Sequence, residues 1–397
     1  MVCEICIKYI KYIYFVILYI MPLLMSSILI ASNLELNWLS KILEVKNIQL
    51  YFAFLFVFLG FNFKHLRGTT YRKTKKLVNY KITYLTKIST IFIIYSSMIN
   101  FMQYFNIYYN IQVLNNLFLL YLPYYLDLAE YSGKRRILMP SYFHTFIYTI
   151  HRFIGNFKLI NENNKLDIDI NNLETYILSI HPHGLFPFGT VGSLSLPHDL
   201  KYIEETTPIL NSKYLKAGIA SFCFYIPIIR EVYLWLGAVD CSKPILKNFL
   251  QKGYSIAIFV GGAQESQYSG IGSTKSILKN RDGIFKLALE TGSNLVPVYT
   301  FGNNNMFNSF DFDILGIFYY LKKLTGIWFP RGYFVPMRHN FTSVIGSPIK
   351  VDKLTINDNI DFRVKQLKDQ YMHALSELFE KYKYLDPYCM DKSIEYV

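Results

Sequence analysis

Charge is distributed unevenly along the chain, and the uneven pattern divides it in two. No charged residue occurs at 12–34, 47–63 or 88–126, whereas charged and apolar positions alternate in short blocks from about residue 137 onward. The first run is long enough for a bilayer-spanning helix, which needs about 20 apolar residues. It also exceeds the roughly 7–15 apolar residues of a signal-peptide core, so it reads as a retained anchor. The third run is too long for one span. It predicts either a helical hairpin turning near 106–110, giving four spans in two hairpins, or a single pair of spans plus one interfacial segment. Residues 1–136 are therefore read as an anchor of two to four transmembrane segments. Lys8 and Lys11, the basic stretch from Lys64 to Lys87, and Lys134, Arg135 and Arg136 flank these runs. The excess of Lys and Arg puts those flanks on the cytoplasmic side.

Residues 137–397 have a different rhythm. The segment 140–157 carries His144 and His151 among aromatics and predicts an amphipathic helix lying on the membrane, followed by a polar connector at 161–172. Residues 175–180 predict a buried strand. Short apolar runs at 215–217, 238–240, 255–260, 295–299 and 341–345 predict further strands, and helical periods fall at 227–236, 242–251, 282–291 and 362–383. Gly253 and Gly292 stand just past two of those helices, where a left-handed closing residue fits. Alternation of this kind implies an α/β domain with helices packed on a mainly parallel sheet.

The composition is too apolar for an ordinary soluble protein and too polar for a many-span transporter. The chain is 52% hydrophobic and only 17% charged, with 41 basic against 28 acidic residues and a net charge of +13. Much of the basic excess lies beside apolar runs, which favours an anionic membrane face, and no nucleic-acid-binding pattern accompanies it. The five cysteines, Cys3, Cys6, Cys223, Cys241 and Cys389, form no disulfide framework, which suits a reducing compartment.

Candidate chemistry is concentrated where predicted strands end. The strand at 175–180 breaks at His181-Pro182-His183-Gly184: Pro182 cannot extend a ladder, and Gly184 allows backbone geometry closed to other residues. Two imidazoles are thus presented in a turn, and histidine is the side chain best matched to proton transfer near neutral pH. The strand at 255–260 ends in Gly261-Gly262-Ala263-Gln264-Glu265, where the glycines let backbone amides approach a ligand and Glu265 supplies a carboxylate. Lys279-Asn280-Arg281-Asp282-Gly283 opens a helix, an arrangement suited to phosphate or to an ordinary solvated charge cluster. Gly302-Asn303-Asn304 ends the strand at 295–299.

Taken together, H-P-H-G, V-G-G-A-Q-E-S, L-K-N-R-D-G-I-F-K-L-A-L and L-V-P-V-Y-T-F-G-N-N are similar to the signature blocks of the type 2 diacylglycerol acyltransferases, a family that includes monoacylglycerol and wax-ester acyltransferases. The resemblance covers roughly residues 175–385, including Gly346-Ser347-Pro348-Ile349 and Tyr371-Met372-His373-Ala374-Leu375. It implies a glycerolipid-acyltransferase-like fold behind the transmembrane helices, in a multi-pass protein of the endoplasmic-reticulum membrane whose catalytic domain, 137–397, faces the cytosol. It implies acyl-CoA as co-substrate with no bound cofactor or metal, and diacylglycerol as acceptor, with monoacylglycerol, a sterol or a fatty alcohol as alternatives. Membrane lipids are expected partners, nucleic acid is not, and a homo-oligomer is left open. Four departures stand out. The family's upstream Tyr-Phe-Pro is absent, Phe-Gly-Asn303-Asn304 replaces Phe-Gly-Glu-Asn, the segment around Arg331-Gly332 is short, and the chain offers material for two membrane hairpins where the family commonly has one.

On this reading His183 is the general base, His181 assists, and Glu265 holds the catalytic imidazole as the carboxylate does in a triad. Pro182, Gly184, Gly261, Gly262, Lys279, Arg281, Gly302 and Asn304 are the expected substrate-binding positions, with Lys279 and Arg281 on the phosphates of coenzyme A. No G-x-S-x-G elbow occurs, so direct transfer is expected over an acyl-enzyme. The H-x4-D pattern of glycerophosphate acyltransferases is absent, since the positions in question are Phe186 and Phe188. The rival readings are a non-catalytic lipid-binding or scaffold protein and a zinc hydrolase using the paired histidines.

Overall fold

A computed structural model of the chain describes residues 87, 88, 90, 91, 95, 120–134, 155–162, 174–195, 214–307 and 337–397. The runs at 12–34 and 47–63, residues 140–154, and the Arg331-Gly332 segment lie outside them. Of 88–126 only a few positions and the end from residue 120 are described. Among the described residues no helix is long and apolar enough to cross a membrane. Residues 128–322 and 327–397 form one compact unit, and residues 1–127 with 323–326 form another. Within the latter, the Lys87 ammonium donates to the Tyr125 carbonyl at 3.3 Å.

The larger unit is built on a sheet of seven strands. They are β1 (Gly155–Asn161), β2 (Tyr176–His181), β3 (Leu215–Ile219), β4 (Ala238–Asp240), β5 (Ser255–Phe259), β7 (Asn294–Phe301) and β8 (His339–Ile345). Their order across the sheet is β1-β8-β7-β2-β5-β3-β4. Strands β7, β2, β5, β3 and β4 are mutually parallel; β8 runs antiparallel to β7, and β1 runs parallel to β8. The architecture is therefore mixed α/β with a mainly parallel sheet. Strands β2 and β7 are buried at every position, as expected of central parallel strands covered on both faces. Leu178, Ile180, Val296, Val298 and Ile345 form the core around them.

The helices follow from local signals. Helix α4 (Lys243–Gln251) has proline in its first turn and buries Ile245, Leu246, Phe249 and Leu250. Helix α6 (Asp282–Thr291) closes on Gly292 at φ 71°. The last long helix, α7 (Ile360–Tyr382), is capped by the Asn359 side chain accepting from the Phe362 amide. Its stripe Val364, Leu367, Tyr371, Leu375, Leu378 and Phe379 is buried, and the helix packs on β7 and α6.

Two elements depart from the sequence reading. Residues 155–157, expected in an amphipathic helix, begin strand β1, which pairs along its whole length with β8. A strand partner supplied by residues some 180 positions later outweighs the local period. A helix not anticipated at all, α2 (Phe188–Ser195), starts four residues after the H-P-H-G turn and packs on β1 and β8.

Candidate active site

Strands β5, β2 and β7 are adjacent and parallel, so their carboxyl ends lie along one edge of the sheet. The turn His181–Gly184 follows β2, Gly261–Glu265 follows β5, and Gly302–Asn305 follows β7. Ligands bind outside the carboxyl ends of parallel strands for this geometric reason. Three chemistry-bearing segments far apart in sequence thus converge.

Glu265, in the one-turn helix α5 (Gly262–Glu265), is 1% exposed and gathers three donors. Its Oε2 accepts from the His183 backbone N–H at 2.7 Å. Its Oε1 accepts from the Ser276 hydroxyl at 2.9 Å and the Ile277 amide at 3.0 Å, and lies 3.7 Å from His181 Nδ1. Burial raises its pKa, but the hydrogen bond and charge of His181, the His183 amide and the Ser276 hydroxyl overcome that, and the group is held below the usual carboxylate value. The expected contact between Glu265 and the His183 imidazole is not made. The carboxylate grips the backbone of the turn and neighbours the other histidine.

The two histidines occupy different environments. His181 is fully buried, with Nδ1 2.8 Å from the Ser276 hydroxyl and Nε2 3.1 Å from the Tyr371 hydroxyl. His183 is half-buried, its ring edge-on to Phe259 at 5.2 Å. Its Nδ1 lies 2.9 Å from the Gly184 carbonyl, which can only accept, so the proton sits on Nδ1 and the Nε2 lone pair meets no hydrogen-bond donor among the described residues. Desolvation lowers its pKa, partly offset by the Gly184 carbonyl and the Glu265 charge. A neutral imidazole with a bare Nε2 can accept a proton. Both His181 nitrogens are engaged, so the two rings do not form the paired ligands of a zinc site.

The turn itself is fitted closely. Gly184 adopts φ 68°, and a Cβ there would lie 2.6 Å from Asn303 Nδ2. That amide nitrogen donates to both the Pro182 and His183 carbonyls at 3.0 Å. A Cβ on Gly261 would lie 2.5 Å from the Glu265 carboxyl carbon, so close approach requires glycine. Arg281 donates to the Gly261 carbonyl and to Gln264 Oε1, each at 2.9 Å. Its Nη2 is therefore tied into the glycine loop. The Lys279 side chain is exposed, and its carbonyl accepts from Lys368. The Gly302 amide donates to Asp386, and Asn304 Nδ2 donates to the Ser273 carbonyl at 2.7 Å. The polar atoms of these two positions build the loop.

Residues 101–395 match the family model for diacylglycerol acyltransferase. The chain belongs to the diacylglycerol acyltransferase family. It is 34% identical over 234 residues to a diacylglycerol O-acyltransferase 1 of Eremothecium gossypii, a match spanning 53% of this chain and 47% of that one. It is 31% identical over 250 residues to a diacylglycerol O-acyltransferase 2A of Umbelopsis ramanniana (58% and 68% covered). It is also 31% identical over 276 residues to a diacylglycerol O-acyltransferase 2 of Dictyostelium discoideum (66% and 79% covered). Among solved structures, an acyl-glycerophosphate acyltransferase from Thermotoga maritima is similar at 12% identity and a TM-score of 0.33, over 59% of this chain and 78% of that one, too distant a likeness to argue from.

In this member of the diacylglycerol acyltransferase family the signature blocks meet at one sheet edge. Sequence reasoning missed Ser276 and Asp386, and it named Tyr371 and Asn303 without giving either a role in the site. Ser276 lies in a two-residue strand, β6 (Lys275–Ser276), without periodic signal. Tyr371 falls on the apolar stripe of α7, where nothing in the spacing marks its hydroxyl.

Proposed function

We propose that the chain is a membrane-anchored acyltransferase that esterifies diacylglycerol to triacylglycerol with acyl-CoA as donor. Membership of the family supports the substrate class. The uncharged runs and their basic flanks support anchoring in the endoplasmic-reticulum membrane with the catalytic unit on the cytosolic side. The observation that carries the chemistry is the His183 tautomer, with Nδ1–H tied to the Gly184 carbonyl and Nε2 open.

On this reading His183 Nε2 takes the proton of the acceptor hydroxyl as its oxygen attacks the thioester carbonyl carbon. The new C–O bond forms, the C–S bond breaks, and the departing thiolate takes the proton back from the imidazolium. The carbonyl oxygen becomes negative on the way, and the amides of Gly184, Gly261 and Gly262 are the nearest backbone donors by sequence position. Lys279, exposed beside the start of α6, is a cation suited to coenzyme A phosphate.

The test is His183→Ala in membranes supplied with labelled acyl-CoA and diacylglycerol. Transfer should fall at least about 10²-fold with protein level kept, the usual loss when a general base is removed. Normal transfer by that variant overturns the assignment.

A further inference from the structure

The unused chemistry of the site lies behind the H-P-H-G turn, in a chain of side chains sealed from solvent. Ser276 Oγ stands between His181 and Glu265. The carboxylate can only accept, so the hydroxyl proton goes to Glu265 Oε1. Ser276 Oγ therefore accepts from His181 Nδ1–H, 2.8 Å away. On the far side of the ring, the Tyr371 hydroxyl lies 3.1 Å from Nε2 and 3.1 Å from the Ser179 carbonyl in β2, and its one proton is shared between these two acceptors. Burial raises the Tyr371 pKa well above its ordinary value, which keeps the hydroxyl protonated. Tyr371, His181 and Ser276 are each no more than 1% exposed.

The chain ends on a backbone atom of the reactive residue, because the other oxygen of Glu265 holds the His183 amide at 2.7 Å. Its two hydroxyls come from separate elements that are themselves tied together. Strand β9 (Glu395–Tyr396) pairs with β6, the Val397 amide donates to the Ser276 carbonyl at 2.9 Å, and Tyr396 OH donates to the Met372 carbonyl at 2.8 Å, one residue past Tyr371.

We infer that Ser276 and Tyr371 are positioning residues for acyl transfer. They fix the His181 ring from both sides, His181 and Ser276 fix Glu265, and Glu265 sets the backbone that aims His183. His181 is then the keystone of the turn and does not touch substrate. This inference rests on His183 being the base. A displacement of about 1 Å at a reacting group is enough to lower a rate by about 10²-fold.

The experiment uses the full chain in membranes, with acyl-CoA and diacylglycerol, and the variants Tyr371→Phe and Ser276→Ala. Tyr371→Phe keeps the ring packed on Phe285, whose centroid is 5.6 Å away, and removes the hydroxyl alone. Each variant is expected to lower kcat roughly 10- to 100-fold while KM for acyl-CoA stays within about a factor of two. A second measurement separates positioning from general loosening. His181→Gln keeps a polar group near the Nε2 position and drops the one at Nδ1, so Ser276→Ala added to it should cost clearly less than it does alone, the remainder being its bond to Glu265. Wild-type kcat in both single variants overturns the inference, as does a KM rise that accounts for the loss or full additivity with His181→Gln. If Ser276→Ala fails to fold, Tyr371→Phe decides by the same criteria. If wild type and His183→Ala transfer label equally, the failure lies in the base assignment and not in this chain of contacts.

Discussion

Glu265 holds His183 by its backbone: the carboxylate accepts the amide proton at 2.7 Å and leaves the imidazole to the Gly184 carbonyl. A triad would need the opposite arrangement. Glu265→Gln is nearly isosteric, but it puts an NH2 group against one of three fixed donors. We expect stability and rate to fall together, with a stability loss of about 1–3 kcal/mol for a buried donor left unmatched. Unfolding of the variant and its transfer rate are the two measurements. A slowed rate at wild-type stability would show instead that the charge acts on the transition state.

The pH dependence should carry the signature of a desolvated histidine. Burial holds His183 below its ordinary pKa, so acyl transfer should rise with pH along a limb whose midpoint lies below about 6.5 and be level above it. The stability linkage has the same sense. The unfolded chain binds this proton more readily, so the contribution is present above the unfolded pKa and is lost as pH falls through the folded one. Glu265, held low, likewise contributes above the ordinary carboxyl value and loses that contribution as pH falls through its folded pKa. A rate profile with its midpoint above about 7 would contradict this environment for the base.

Asn303 occupies the place of the family's glutamate and uses what a carboxylate lacks, a donor. Its Nδ2 bonds the carbonyls of Pro182 and His183. Asn303→Asp would set a negative oxygen against those two carbonyls, whereas Asn303→Ala removes the bonds without repulsion. Transfer should therefore fall further in the Asp variant than in the Ala variant, with the Asp variant less stable by about 1–3 kcal/mol. Wild-type rates in both variants would mean that the turn does not depend on this donor.

Much of the fold was legible because central parallel strands are locally distinctive. The unbroken apolar runs around β2 and β7, and the glycines past α4 and α6, mark elements whose cause is local. Strand β1 was not legible, since the sequence GNFKLIN is apolar enough for either state and only β8 decides it. The site followed the same division. His183, Glu265 and the glycine turns carry their chemistry in their identity and spacing, whereas Ser276 and Tyr371 owe their importance to residues 95 and 190 positions away.

Helix α3 (Ile229–Trp235) shows where sequence stops and tertiary structure begins. The period alone establishes a helix with one apolar stripe, at Ile228, Ile229, Val232, Trp235 and Leu236. In the structure that stripe is exposed, while Arg230 and Glu231 on the other face are buried. Arg230 bonds Glu231 at 2.6 Å and Glu130 at 2.8 Å. A charge can be buried only where a partner compensates its desolvation, and that partner lies 100 residues earlier. Local pattern determines that a helix forms, which blocks carry chemistry and where strands end. Which face turns inward, and which of two histidines in one motif keeps an open nitrogen, depends on distant side chains, because desolvation and hydrogen-bond satisfaction are properties of the assembled core.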